Sequence, residues 1–128
     1  AVNLSSRLET LTKQYHVAVI VGESTRAAVG DAFRFRELDR VQVVGRSGTT
    51  RIFELLDEST GADLAGAYEK ALAVYRSGAF AEAEQAFAAL VAAHPHDGPS
   101  ATMLARSKAL QKNPPAAGWD GVFHQISK

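Results

Sequence analysis

Val17-Ala18-Val19-Ile20-Val21-Gly22-Glu23-Ser24-Thr25-Arg26-Ala27-Ala28-Val29-Gly30 is the stretch on which the fold class turns. Its first five residues are short, apolar and largely β-branched, which predicts a buried strand. Gly22 ends that strand. Ser24 is placed to cap a short helix through Val29, and Gly30 offers a left-handed stop. Upstream, residues 2–13 carry Leu4, Leu8 and Leu11 at i, i+4 and i+7, the stripe of an amphipathic helix. Downstream, Phe33-Arg34-Phe35-Arg36 and Val41-Gln42-Val43 alternate with period two. Gly45 to Gly48 reads as a turn, and Thr50 to Leu55 as the returning strand. Helix, strand, helix, strand and hairpin make an α+β pattern that is small for closing a core of its own.

The composition changes after Asp57. Residues 58–66 read as a polar connection, and from Ala67 alanine dominates while strand formers become scarce. Helices are expected at about Ala67 to Ser77 and Ala81 to Ala93, broken at Gly78. Pro95 and Asp97-Gly98-Pro99 end the second of these. A third begins at Ser100 or Thr102 and runs to Lys112, where Pro114-Pro115 stops it. Gly118 to Phe123 is apolar enough to dock rather than extend into solvent. The predicted organisation is thus residues 1–57 as an α+β part, 58–66 as linker and 67–128 as an all-α tail.

Charge and hydropathy narrow the function classes. Of 128 residues, 46% are hydrophobic and 22% charged, a globular rather than disordered balance. Fourteen basic and fourteen acidic residues cancel, so the electrostatic footprint of a nucleic-acid binder is missing. The chain has no cysteine, which excludes disulfides, thiolate metal sites and a thiol nucleophile. No apolar run approaches the roughly 20 residues that cross a bilayer. No signal peptide opens the chain, and a helical pattern is already running at Val2, so a fragment of a longer protein is expected.

The residues that carry chemistry are Val2-Asn3-Leu4-Ser5-Ser6-Arg7-Leu8-Glu9. Asn3 and Arg7 lie four apart and share a helix face beside the leucine stripe. An amide next to a guanidinium can orient a hydroxyl and clamp a phosphate oxygen, for which the planar, permanently charged arginine fork is well suited. Taken alone, such a pair is also common on solvated helix faces.

The surrounding string resembles the Val-Asn-Leu/Val-Ala/Ser-Ala/Ser-Arg-Leu/Met segment of class III adenylyl and guanylyl cyclases. The resemblance continues, collinear, through Tyr15 to Val21, Glu23-Ser24-Thr25, Phe35-Arg36-Glu37-Leu38-Asp39-Arg40-Val41 and Arg51 to Leu55, covering roughly residues 1–57. It implies a partial ferredoxin-like cyclase domain. It also implies that Asn3 orients the ribose and that Arg7 stabilises charge at the phosphate attacked by the 3′-hydroxyl. The family lysine that contacts the terminal phosphates falls at Val44. Arg46, two residues on, either substitutes as the nucleotide-binding cation or is an exposed turn arginine.

The same resemblance places the family's two metal-binding aspartates and its base-selecting residues upstream of this chain. Mg²⁺ or Mn²⁺ would therefore serve the full-length enzyme with no ligand here, and Asp31, Asp39 and Asp57 match none of those motifs. It further implies an ATP or GTP substrate, cAMP being the more expected product, and a homodimer with composite active sites. A cytoplasmic location follows for this part, compatible with an upstream membrane anchor and a bacterial source. The isolated chain is expected to be inactive.

In the tail, Ala71, Gly78, Phe80, Ala83, Phe87 and Pro95 have the spacing of a single tetratricopeptide repeat. A generic alanine-rich helical hairpin is the alternative. Either needs a surface to pack on, which makes a protein partner for the tail an expectation. His94-Pro95-His96 lacks a third ligand at metal spacing and reads as a surface loop. Trp119 reads as a docking anchor. The rival to an enzyme fragment is a noncatalytic cyclase-like segment that acts through its helical tail.

Overall fold

The computed structural model describes residues 4–42, 48–57 and 61–124, with side chains from Leu8 onward. The chain is α+β, and it divides into two compact units, Ala1–Gly61 with Val122–Lys128, and Ala62–Gly121.

The first unit opens with α1, Leu4–Tyr15. Leu8, Leu11 and Tyr15 are buried, the i, i+3 and i+7 stripe of a helix lying on a sheet. The helix runs two residues beyond the predicted end. Val17 N–H donates to Thr12 O at 3.0 Å, closing the last turn around His16, whose φ of 57° is a left-handed conformation held by a non-glycine residue.

Strand β1 is Ile20–Gly22, and α2 follows directly at Glu23–Val29. The strand expected at Val17 to Val21 is thus later and shorter, and Val19 is 42% exposed rather than buried. Val19 precedes the strand, whose buried residues are Ile20 and Gly22. Gly22, not Ser24, is the N-cap residue of α2. The helix starts two residues earlier, and Glu23 is tied to the sheet there: its N–H donates to Thr50 Oγ1 at 3.5 Å and its carboxylate accepts the Arg51 N–H at 2.6 Å. Gly30 ends α2 with φ 64°, as its position in the sequence predicts, and a short 3₁₀ turn spans Gly30–Ala32.

Strands β2, Phe35–Gln42, and β3, Thr50–Leu55, complete the antiparallel part. The spatial order is β1-β3-β2-β4, where β4 is Phe123–His124 and runs parallel to β2. Two separate alternating segments were expected across β2, but it is one continuous strand. A bulge at Leu38 lets Glu37 face Phe53 and Asp39 face Ile52, so the alternation slips by one residue. The slip puts both Leu38 and Asp39 in the interior.

The second unit is three helices: α3, Ala62–Arg76, α4, Phe80–Ala93, and α5, Gly98–Lys112. The α3 helix begins within the segment read as connection, because Ala62 to Gly66 lacks a breaker strong enough to exclude them. Gly78, with φ 86°, makes the turn to α4, and its N–H donates to Tyr75 O at 3.0 Å. Ala71 and Ala83 are buried between the helices, and Tyr68 meets Phe87 edge-on at 5.5 Å. The start of α5 differs from expectation: Asp97 is its N-cap, accepting from Ser100 N and Oγ, and Pro99 lies in its first turn.

Candidate functional site

The geometry around α1 starts from the sheet register. Paired positions place Ile20, Arg36, Asp39, Val41, Ile52 and Glu54 on one face, and Phe35, Glu37, Arg40, Arg51, Phe53 and Leu55 on the other. The Tyr15 hydroxyl donates to Asp39 Oδ2 at 2.7 Å in the interior, so α1 covers the first face. Asp39 Oδ1 also accepts the Arg40 N–H at 2.8 Å. Beside it on the same face, Arg36 donates to Glu54 through Nε at 3.0 Å and through a second guanidinium nitrogen. Arg36 is almost fully buried, so its charge sits in a low-dielectric setting where pairing with Glu54 offsets part of the desolvation cost.

The opposite face carries a more open network. Arg51, 43% exposed, reaches Glu37 Oε1 at 3.4 Å and Glu23 Oε1 at 3.8 Å, and lies over the Phe53 ring at 5.4 Å. Arg26 lies over Phe35 at 4.8 Å and donates to Gly30 O at 2.8 Å. These guanidiniums already hold carboxylates, rings or carbonyls, and they tie α2 to β2 and β3. Sequence inspection placed no role on this network, because its partners come from three separate elements.

Of the residues singled out from the sequence, Asn3, Val44 and Arg46 lie outside the described residues. Arg7 belongs to α1, one residue beyond the first described turn position that is buried, Leu8, going toward the N-terminus. The anchored leucine and tyrosine stripe therefore fixes the helical segment that bears position 7. Among the described residues, no group of three or more His, Asp or Glu side chains is close enough to hold a metal. Asp39 is engaged by Tyr15 as described, and His94 and His96 are exposed.

Within the helical unit, Trp119 packs edge-on against Tyr75 at 5.4 Å and Phe80 at 5.1 Å. Gly121 has φ 79°, a left-handed conformation that favours glycine, and a β-carbon there would make ordinary contact with the Arg76 side chain, 3.4 Å from its Cγ. The aromatic cluster borders an open groove of about 500 Å³, whose floor and rim include Phe80, Leu110, Pro114, Pro115 and Trp119. No charged side chain lines it.

Against known proteins, the chain is 40% identical over 60 residues to "Adenylate cyclase, terminal-differentiation specific" of Dictyostelium discoideum. That match takes in 44% of this chain and 3% of the Dictyostelium protein. The chain thus spans a very small part of that relative's length, and the likeness is to a cyclase segment. No protein-family model matches the chain. No solved structure matches it.

Proposed function

We propose that this chain is the distal part of a class III nucleotide cyclase catalytic domain, followed by a helical tail of tetratricopeptide type. The supporting observation is the 40% identity to an adenylate cyclase, together with the motif resemblance at Asn3 and Arg7. The helix–strand order of α1 and β1 suits that assignment, because Tyr15 and the leucine stripe hold α1 firmly to the sheet.

In this proposal the 3′-hydroxyl of ATP attacks the α-phosphorus, the new O–P bond closes the ring, and pyrophosphate departs as the α–β bridging bond breaks. The hydroxyl proton leaves to a base. Asn3 holds the ribose so that the hydroxyl is in line, and Arg7 stabilises the charge that grows on the phosphate oxygens. Arg46 stands in for the family lysine at Val44 as the contact to the outer phosphates. A divalent ion, Mg²⁺ or Mn²⁺, would supply further charge neutralisation in the longer protein, held by the aspartates that the family resemblance places upstream of this sequence. Catalysis takes place in a homodimer in the cytoplasm, and cAMP is the preferred product over cGMP.

The 128-residue chain alone is then expected to make no cyclic nucleotide with either metal, whereas the longer protein does. A cyclic-nucleotide assay on both checks this; turnover by the isolated chain would refute the assignment of the metal ligands to upstream sequence. A noncatalytic role for the helical tail is favoured by Val44 and by the uncharged groove beside Trp119. Loss of cyclase activity throughout the longer protein, with that tail still required in the cell, would favour it.

A further inference from the structure

α1 is held to the sheet by contacts of two kinds. Leu8 and Leu11 bury apolar surface, which presses a helix onto a sheet without fixing its rotation or its position along its axis. The Tyr15 hydroxyl adds a directional contact, donating at 2.7 Å to the buried Asp39 carboxylate. The bulge at Leu38 is what brings Asp39 beneath α1. Period two continued from Arg36 would send that carboxylate to the opposite face.

The directions of the elements give that bond leverage. β1 and β2 are both antiparallel to β3, so they run parallel to each other. Residues 16–19 turn the chain from α1 into β1, with His16 left-handed at φ 57°, and a connection this short reverses it. α1 therefore runs against both strands. Going back from Tyr15 to Arg7 and forward from Asp39 to Gln42, helix and strand lead to the same end of the sheet. Arg7 lies about 12 Å along the helix from Tyr15, at roughly 1.5 Å per residue.

We infer that Tyr15 and Asp39 are positioning residues for the cyclase reaction: their bond fixes the rotation and axial setting of α1, and so the setting of Arg7 against the reacting phosphate. The inference rests on the proposed cyclase function and adds to it two residues that act through the helix rather than on the substrate. A misplacement of about 1 Å at a transition-state contact costs on the order of 10²-fold in turnover, so freeing one end of α1 reaches the chemistry at the other.

The test is steady-state cyclase kinetics of the longer protein, each variant assayed below its own unfolding midpoint. Tyr15→Phe keeps the ring and removes the donor. Its kcat should fall at least about tenfold, with KM changed by less than about twofold. In an Arg7→Ala background the same substitution should lower kcat by less than about twofold, because the residue through which it acts is gone. A bond that serves stability alone would move the urea midpoint and leave kcat unchanged, and that result overturns the proposal. So does an equal fold loss in both backgrounds. If Arg7→Ala itself leaves kcat intact, the cyclase function fails and the proposal with it. A loss at Arg7 with none at Tyr15 refutes the positioning role alone. Should Tyr15→Phe fail to fold, Tyr15→Phe with Asp39→Leu removes the bond and the buried carboxylate together, and the same outcomes apply to that pair.

Discussion

Tyr15 shows how much a single side chain can fix. Its ring is fully buried and its hydroxyl donates to Asp39 at 2.7 Å, so one residue joins the end of α1 to the bulged part of β2. Burying a carboxylate is tolerable only when donors satisfy it, and Tyr15 provides one of them alongside the Arg40 amide. Tyr15→Phe keeps the ring packing and removes the donor. It should lower stability by about 1–3 kcal/mol, read as a drop in urea midpoint with little change in slope. An unchanged midpoint would mean the hydrogen bond contributes nothing net. The tyrosine was visible in the sequence only as the start of a resembling segment, Tyr15 to Val21. Its partner was not, since Asp39 is 24 residues away and becomes interior only through the bulge. The residues given catalytic roles, Asn3 and Arg7, were legible as a motif because helical spacing puts them on one face.

At the scale of elements, patterns with strong periodicity were readable and those set by pairing were not. The α1 helix follows from Leu4, Leu8 and Leu11, and the α3–α4 turn from Gly78. β2 was seen as two pieces because a bulge breaks the period-two pattern at Leu38, and a bulge is decided by the partner strand. β4 has two residues, too few for any pattern, and exists because β2 offers an edge. Trp119 was read as an anchor from its chemistry alone, and its contacts with Tyr75 and Phe80 give that anchor a location. The α3–α4 crossing rests on small residues: Ala83 is fully buried and Ala71 nearly so. Ala83→Leu would force extra methylenes into that crossing and should cost about 1–3 kcal/mol, measured by thermal or urea unfolding. A neutral outcome would show that the helices have room to separate there.

At the scale of the whole molecule, a neutral chain with no cysteine holds an α+β unit and a three-helix unit, and the likeness to an adenylate cyclase takes in 44% of it. No helix among the described residues is long and apolar enough to cross a membrane. The proposed division of labour puts the transition-state contacts at the N-terminal end of this sequence, the metal ligands upstream and an interaction role in the helices. The measurement that bears most directly on it is steady-state cyclase kinetics of the longer protein with Arg7→Ala. If Arg7 meets the phosphate more strongly in the transition state than in the ground state, kcat should fall about 10²–10³-fold while KM stays nearly constant. An unchanged kcat, or a loss confined to KM, would contradict the role assigned to Arg7 and with it the cyclase assignment of this chain.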